Sequence, residues 1–250
     1  MQPNLVRRVT AETLGTALLL ATVVGSGIMG ERLSGGNVAV ALLANTIATG
    51  AALVALILTF GTISGAHFNP ALTIADAWMG GIKWRDVPIY ILGQIVGAFA
   101  GVAAANIMFD LPVFFPSQKV RTGGSQWFSE FVATFGLLAI IWGSSKLRSA
   151  VIVPFAVAAY ITAAYWFTAS TSFANPAVTL ARSMSDTFAG IRPIDAPGFI
   201  VAQFVGALAA TALFRWLLMI EKKEAENIVI PHQIDNQKNG RQAKIEEINL

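Results

Sequence analysis

The residues whose types and spacing invite a chemical reading are two Asn-Pro-Ala triplets, Asn69-Pro70-Ala71 and Asn175-Pro176-Ala177. Neither offers a nucleophile or a proton acceptor. Each offers a side-chain amide and the start of a helix, because Asn is a favoured N-cap and Pro suits the first helical position. The surroundings repeat as well: His67-Phe68-Asn69-Pro70-Ala71-Leu72-Thr73 stands against Phe173-Ala174-Asn175-Pro176-Ala177-Val178-Thr179. Each triplet follows a long apolar run ending in small polar residues, and each opens an apolar stretch too short to cross a bilayer. Short helices in corresponding halves of a membrane protein point to a solute path near the midplane.

The elements that must hold these triplets follow from composition. The chain has 250 residues, 55% hydrophobic and 12% charged, with a mean hydropathy of +0.62. A soluble domain carries about 25% charged residues, and a bilayer accounts for the deficit. Six stretches approach the ~20 residues needed to span, at roughly 9–29, 38–61, 87–108, 127–144, 150–169 and 198–220. They lack the alternation of a barrel strand and read as helices. Segments 69–79 and 175–187 are predicted to be re-entrant. Arg7-Arg8 ahead of an apolar run would suit a secretory signal, but Glu12 interrupts it and the run continues to Met29, so a first transmembrane helix is expected.

The repeat is wider than the triplets. Ala11-Glu12-Thr13-Leu14-Gly15-Thr16 matches Ser129-Glu130-Phe131-Val132-Ala133-Thr134, and Gly93-Gln94-Ile95-Val96-Gly97-Ala98 matches Ala202-Gln203-Phe204-Val205-Gly206-Ala207. Each half therefore holds three spans and one half-helix. An odd number of spans per half inverts the repeats in the membrane. The expectation is an all-α membrane protein, with one channel domain over 1–220 built from halves at about 5–115 and 120–220. Small residues four apart (Gly93, Gly97, Gly101; Ala202, Gly206, Ala210) are read as close-packing positions. Arg7, Arg8, Lys83, Arg85, Lys146, Arg148, Lys222 and Lys223 fall on one side, against Arg32, Lys119, Arg121 and Arg192 on the other. This bias places both termini in the cytoplasm. Residues 221–250 read as a polar, disordered cytoplasmic tail.

Composition also excludes functions. There is no cysteine, so disulfides and thiolate metal sites are ruled out, and transport activity should resist mercurials. Two histidines and few acid–base groups in the spans leave little from which to build an enzyme site. No cofactor or metal is expected. The net charge of +3 comes mostly from loops and tail and implies no nucleic-acid partner. The expected partners are the lipid bilayer, water and small neutral solutes.

On both triplets, both Glu residues and the His67 context, over about residues 5–220, the chain resembles the major intrinsic protein family, the aquaporins and aquaglyceroporins. The resemblance implies six transmembrane helices plus two half-helices meeting end to end. Each half-helix N-terminus carries about +0.5 elementary charge, and the pair opposes cations, hydronium included. It further implies that the Asn69 and Asn175 amides donate to a passing solute oxygen. Glu12 and Glu130 would accept hydrogen bonds from loop backbone and hold the half-helices; the other reading makes them proton-coupling carboxylates. His67 is expected to hydrogen-bond within its loop, the other reading being a pH sensor. A homotetramer in the cell membrane, with one pore per subunit, is also implied.

One position departs from that family. Its outer constriction usually has Arg three residues after the second motif's Asn, where this chain has Val178. The family's spacing puts the other lining positions at Thr49, Ala163 and Ser172, giving an uncharged set of small and medium side chains. A wider, less polar constriction is expected, because Arg brings five donors and a fixed charge and Val brings none. Solutes beyond water follow: glycerol-like polyols, urea-like amides or undissociated metalloid acids such as arsenous acid. Asp76 and Arg182 occupy matching places seven residues after each Asn and are candidates for charges at opposite pore mouths, with Arg182 able to stand in for the missing Arg. The alternatives are a water-selective aquaporin and, from another class, a secondary active transporter with inverted repeats.

Overall fold

The computed structural model describes residues 3–145 and 151–218. The tail at 221–250 and the cations Lys146, Arg148, Lys222 and Lys223 lie outside the described residues. Within them the helices run α1 (Leu5–Leu33), α2 (Val38–Ser64), α3 (Pro70–Met79), α4 (Val87–Met108), α5 (Gly124–Ser145), α6 (Ile152–Phe167), α7 (Pro176–Arg182) and α8 (Ala196–Leu217). Asn side chains start four of them. Asn4 accepts from the Arg7 amide, Asn37 from Ala39 and Val40, Asn69 from Ala71 and Leu72, and Asn175 from Ala177 and Val178. Gly65 and Gly80 end α2 and α3 with φ of 92° and 94°, the left-handed turn that a residue with a Cβ resists.

Among the described residues five helices are long and apolar enough to cross a bilayer, and α6 has 16 residues against the expected 150–169. At 1.5 Å per residue, α6 is about 24 Å long. The expected second half-helix at 175–187 is shorter in the structure. It stops at Arg182, because the carbonyls of Ser183 and Met184 accept from the Ser117 and Phe115 amides of the 109–123 loop. The chain is an all-α membrane protein with the inverted two-half arrangement.

The halves match in packing. Helix α1 packs on α4 as α5 packs on α8. Lipid tails give no apolar drive to helix pairing, so close backbone approach must supply the attraction. A Cβ on Gly97 would fall on the Thr13 carbonyl, one on Gly101 on the Ala17 carbonyl, and one on Gly206 against the Phe131 carbonyl. Backbone cannot step aside as a flexible side chain can. Gly97→Ala is therefore expected to destabilise by about 1–3 kcal/mol. Gly25→Ala is the control: its Cβ would stand 3.5 Å from the Phe109 ring, an ordinary contact. Melting in detergent should separate the two, and equal melting temperatures would refute the close-approach account.

Candidate functional site

Two buried carboxylates set the geometry of the loops that lead into the half-helices. Glu12 accepts from the His67 and Phe68 amides (3.0 and 2.7 Å), the Ser64 hydroxyl (2.6 Å) and Gln94 Nε2 (2.8 Å). Glu130 accepts from the Phe173 and Ala174 amides (2.9 and 2.8 Å) and Gln203 Nε2 (2.6 Å). Both side chains are completely buried. The loops they hold carry the same unusual backbone. Positive φ occurs at Ala66 and Phe68 (both 49°) and at the equivalent Ser172 and Ala174 (both 50°). For residues with a Cβ this conformation costs of order 1–3 kcal/mol each, unless the surroundings impose it.

The half-helix starts meet through the two Asn side chains. Asn69 Oδ1 accepts from the Ala71 amide (2.9 Å), while its Nδ2 donates to the Ala174 carbonyl (2.8 Å). Asn175 mirrors it, accepting from Ala177 (3.0 Å) and donating to the Phe68 carbonyl (2.7 Å). An amide nitrogen has two hydrogens. One on each Asn is thus committed to the opposite loop, and the other is not used by that bond. Pro70 and Pro176 occupy the first helical positions, where no amide hydrogen is required.

Both Asn residues line a cavity of about 80 Å³ that runs between the two halves. Thr49, Ser172 and Val178 lie on its wall. Ala163 does not: it lies on the exposed face of α6, and Val153, Val157, Ile161 and Tyr165 face the cavity instead. At 100° per residue, position 163 is about 200° from 161, on nearly the opposite face. The four-residue spacing of those cavity-facing residues is the sequence signal that identifies the lining of α6. Tyr165 was not among the expected positions, yet its hydroxyl meets Thr49 Oγ1 at 3.3 Å across the cavity.

The expected pore-mouth charges are also placed differently. Asp76 and Arg182 are 4% and 2% exposed, so neither is a solvated charge. Asp76 lies off the cavity, its carboxylate 3.5 Å from His67 Nε2, and His67 Nδ1 meets Thr73 Oγ1 at 3.1 Å. Arg182 lies on the cavity wall, stacked 3.4 Å over the Phe173 ring, with its Nε donating to the Ala189 carbonyl. The two braces join equivalent positions, two before and seven after each Asn. One copy uses an imidazole and a carboxylate, the other a phenyl ring and a guanidinium. Arg182 therefore adds a guanidinium to the same cavity wall that carries the uncharged Thr49, Ser172 and Val178.

The 109–123 loop reinforces the positive end. Arg121 donates to the carbonyls of Gly190 (2.8 Å) and Ser170 (3.0 Å) and lies 5.1 Å from the centre of the Phe173 ring. Burial, aided by the Arg121 and Arg182 cations, pushes the Lys119 ammonium down to about 8. Lys119 donates to the Phe188 carbonyl at 2.7 Å.

Capped half-helices, cross-linked Asn amides and a narrow cavity between inverted halves define a membrane channel. The profile of the major intrinsic protein family matches residues 1–151 and 144–248. An aquaglyceroporin of Rhizobium meliloti, AqpS, is 57% identical over 215 residues, covering 86% of this chain and 91% of that protein. The probable aquaporin NIP7-1 of Arabidopsis thaliana is 38% identical over 135 residues, 52% of this chain and 47% of that one. An aquaglyceroporin structure from Plasmodium falciparum superposes with a TM-score of 0.61 at 20% identity, over 86% of this chain and 97% of that one. The chain belongs to the major intrinsic protein family. It is a channel for water and small solutes and not an enzyme.

Proposed function

We propose that this channel passes small neutral solutes in addition to water: glycerol-like polyols, urea-like amides or undissociated metalloid acids such as arsenous acid. The observation that carries this reading is Val178 on the cavity wall, three residues after Asn175, where it adds neither bulk nor charge. The name of the Rhizobium meliloti relative, an aquaglyceroporin at 57% identity, supports it. In this reading Thr49, Ser172 and Val178 belong to the outer constriction, and the Asn69 and Asn175 amides hydrogen-bond the passing solute. Glu12 and Glu130 hold the loops, and His67 belongs to the first loop's hydrogen bonding. The protein works as a homotetramer in the cell membrane with both termini cytoplasmic, and one transmembrane domain carries all of the transport.

Stopped-flow light scattering on proteoliposomes tests the reading with water, glycerol and arsenous acid gradients. Fast solute flux, linear in concentration, is the expected result. Fast water flux with every solute excluded would favour a water-selective aquaporin. Saturable accumulation coupled to an ion gradient would favour a transporter.

A further inference from the structure

The cavity wall holds polar groups that the protein itself leaves unused. Ser172 Oγ is buried with no hydrogen-bond partner. Arg182 is 2% exposed, and among the described residues only its Nε makes a hydrogen bond, to Ala189; no carboxylate pairs with it. Thr49 and Tyr165 share one hydrogen bond, which leaves each hydroxyl further capacity. All four residues line the same cavity. Buried polar groups are normally satisfied, and an orphan in a native protein calls for a partner. Here the missing partner is whatever occupies the channel.

Arg182 is also fixed in place. Phe173 underlies the guanidinium, and Arg121 stands near the same ring. Among the described residues Nη1 and Nη2 of this cavity-lining side chain make no hydrogen bond, and a guanidinium fork matches two oxygens side by side.

We propose that Arg182, not the residue at 178, supplies the cationic donor of the outer constriction, and that with Ser172, Thr49 and Tyr165 it forms a binding station for small neutral solutes bearing two or more hydroxyl groups. The inference rests on the neutral-solute reading above and gives it a specificity rule. A polyol presents adjacent oxygens to the fork, and its hydroxyl hydrogens to Ser172 and the Thr49–Tyr165 pair. Urea presents one acceptor oxygen and gains less. Donors that replace lost hydration speed passage as long as the solute can still leave.

The test is the ratio of glycerol to urea permeability in proteoliposomes of the full chain, a ratio that needs no count of folded channels. Arg182→Leu is expected to lower it about tenfold, equivalent to about 1.4 kcal/mol. Arg182→Lys keeps the charge but loses the fork and should lower it less, and Ser172→Ala should lower it about threefold. An unchanged ratio in Arg182→Leu overturns the proposal. If that variant yields no flux at all, Ser172→Ala decides: a reduced ratio supports the station and an unchanged ratio overturns it. Wild-type vesicles that pass water but neither solute would instead overturn the neutral-solute reading itself.

Discussion

Val178→Arg is expected to cut glycerol and urea flux by at least about tenfold and water flux by less. Val178 is 5% exposed and lies on the cavity wall in the first turn of α7. Its amide donates to Asn175 Oδ1 at 3.3 Å, a backbone bond that the substitution leaves in place. The helix start should therefore survive, and the side chain alone changes. The cavity holds only about 80 Å³, against about 30 Å³ for each water in the liquid. A longer side chain fills much of that room. The introduced guanidinium would also sit one turn from Arg182 on the same helix face, where like charges repel. Proteoliposome flux measures the outcome, and an unchanged glycerol flux would mean that solutes do not pass Val178. The Val178→Arg/Arg182→Leu double variant separates the two causes. Measured against Arg182→Leu alone, a further fall in flux in the double variant assigns the block to bulk, and flux equal to that of Arg182→Leu assigns it to the paired charges.

What the sequence made legible was whatever local chemistry determines. The half-helix starts could be read because Asn caps and Pro at the first position act within four residues. Spans could be read because apolar length is a one-dimensional property. Glu12 and Glu130 stood out because a carboxylate in an apolar run needs donors, and the repeat put both at one place. The wall of α6 was less legible. Counting back from Asn175 crosses a turn with no motif, and a two-residue error on a helix exchanges the wall face for the lipid face. That is the difference between Ala163 and the pair Ile161 and Tyr165. Asp76 and Arg182 looked like mouth charges, because sequence alone does not show a buried partner. The matched offsets of His67 with Asp76 and Phe173 with Arg182 were present in the text of the repeat, but pairing them requires the loop to fold back along its half-helix.

Glu12→Gln is expected to destabilise the protein by about 3 kcal/mol or more, and Glu130→Gln by about 1 kcal/mol less. Each Gln keeps one acceptor oxygen and turns an NH₂ group toward donors that the carboxylate had satisfied. A buried donor left without an acceptor costs about 1–3 kcal/mol. Glu12 accepts from Ser64 in addition to two loop amides and Gln94, while Glu130 accepts from two amides and Gln203 alone. The extra hydroxyl sets the order of the two variants. Flux should fall with stability, because the positive φ values at Ala66, Phe68, Ser172 and Ala174 are imposed on residues that resist them. Once a carboxylate lets go, that loop can relax and carry its Asn away from the opposite loop's carbonyl. Thermal unfolding in detergent and water flux in vesicles measure both effects, and two variants that melt like the wild type would refute the holding role. The measurement also separates the channel from the transporter reading. A carboxylate that served only to carry protons would leave the melting temperature in place, and its loss would abolish accumulation driven by a proton gradient.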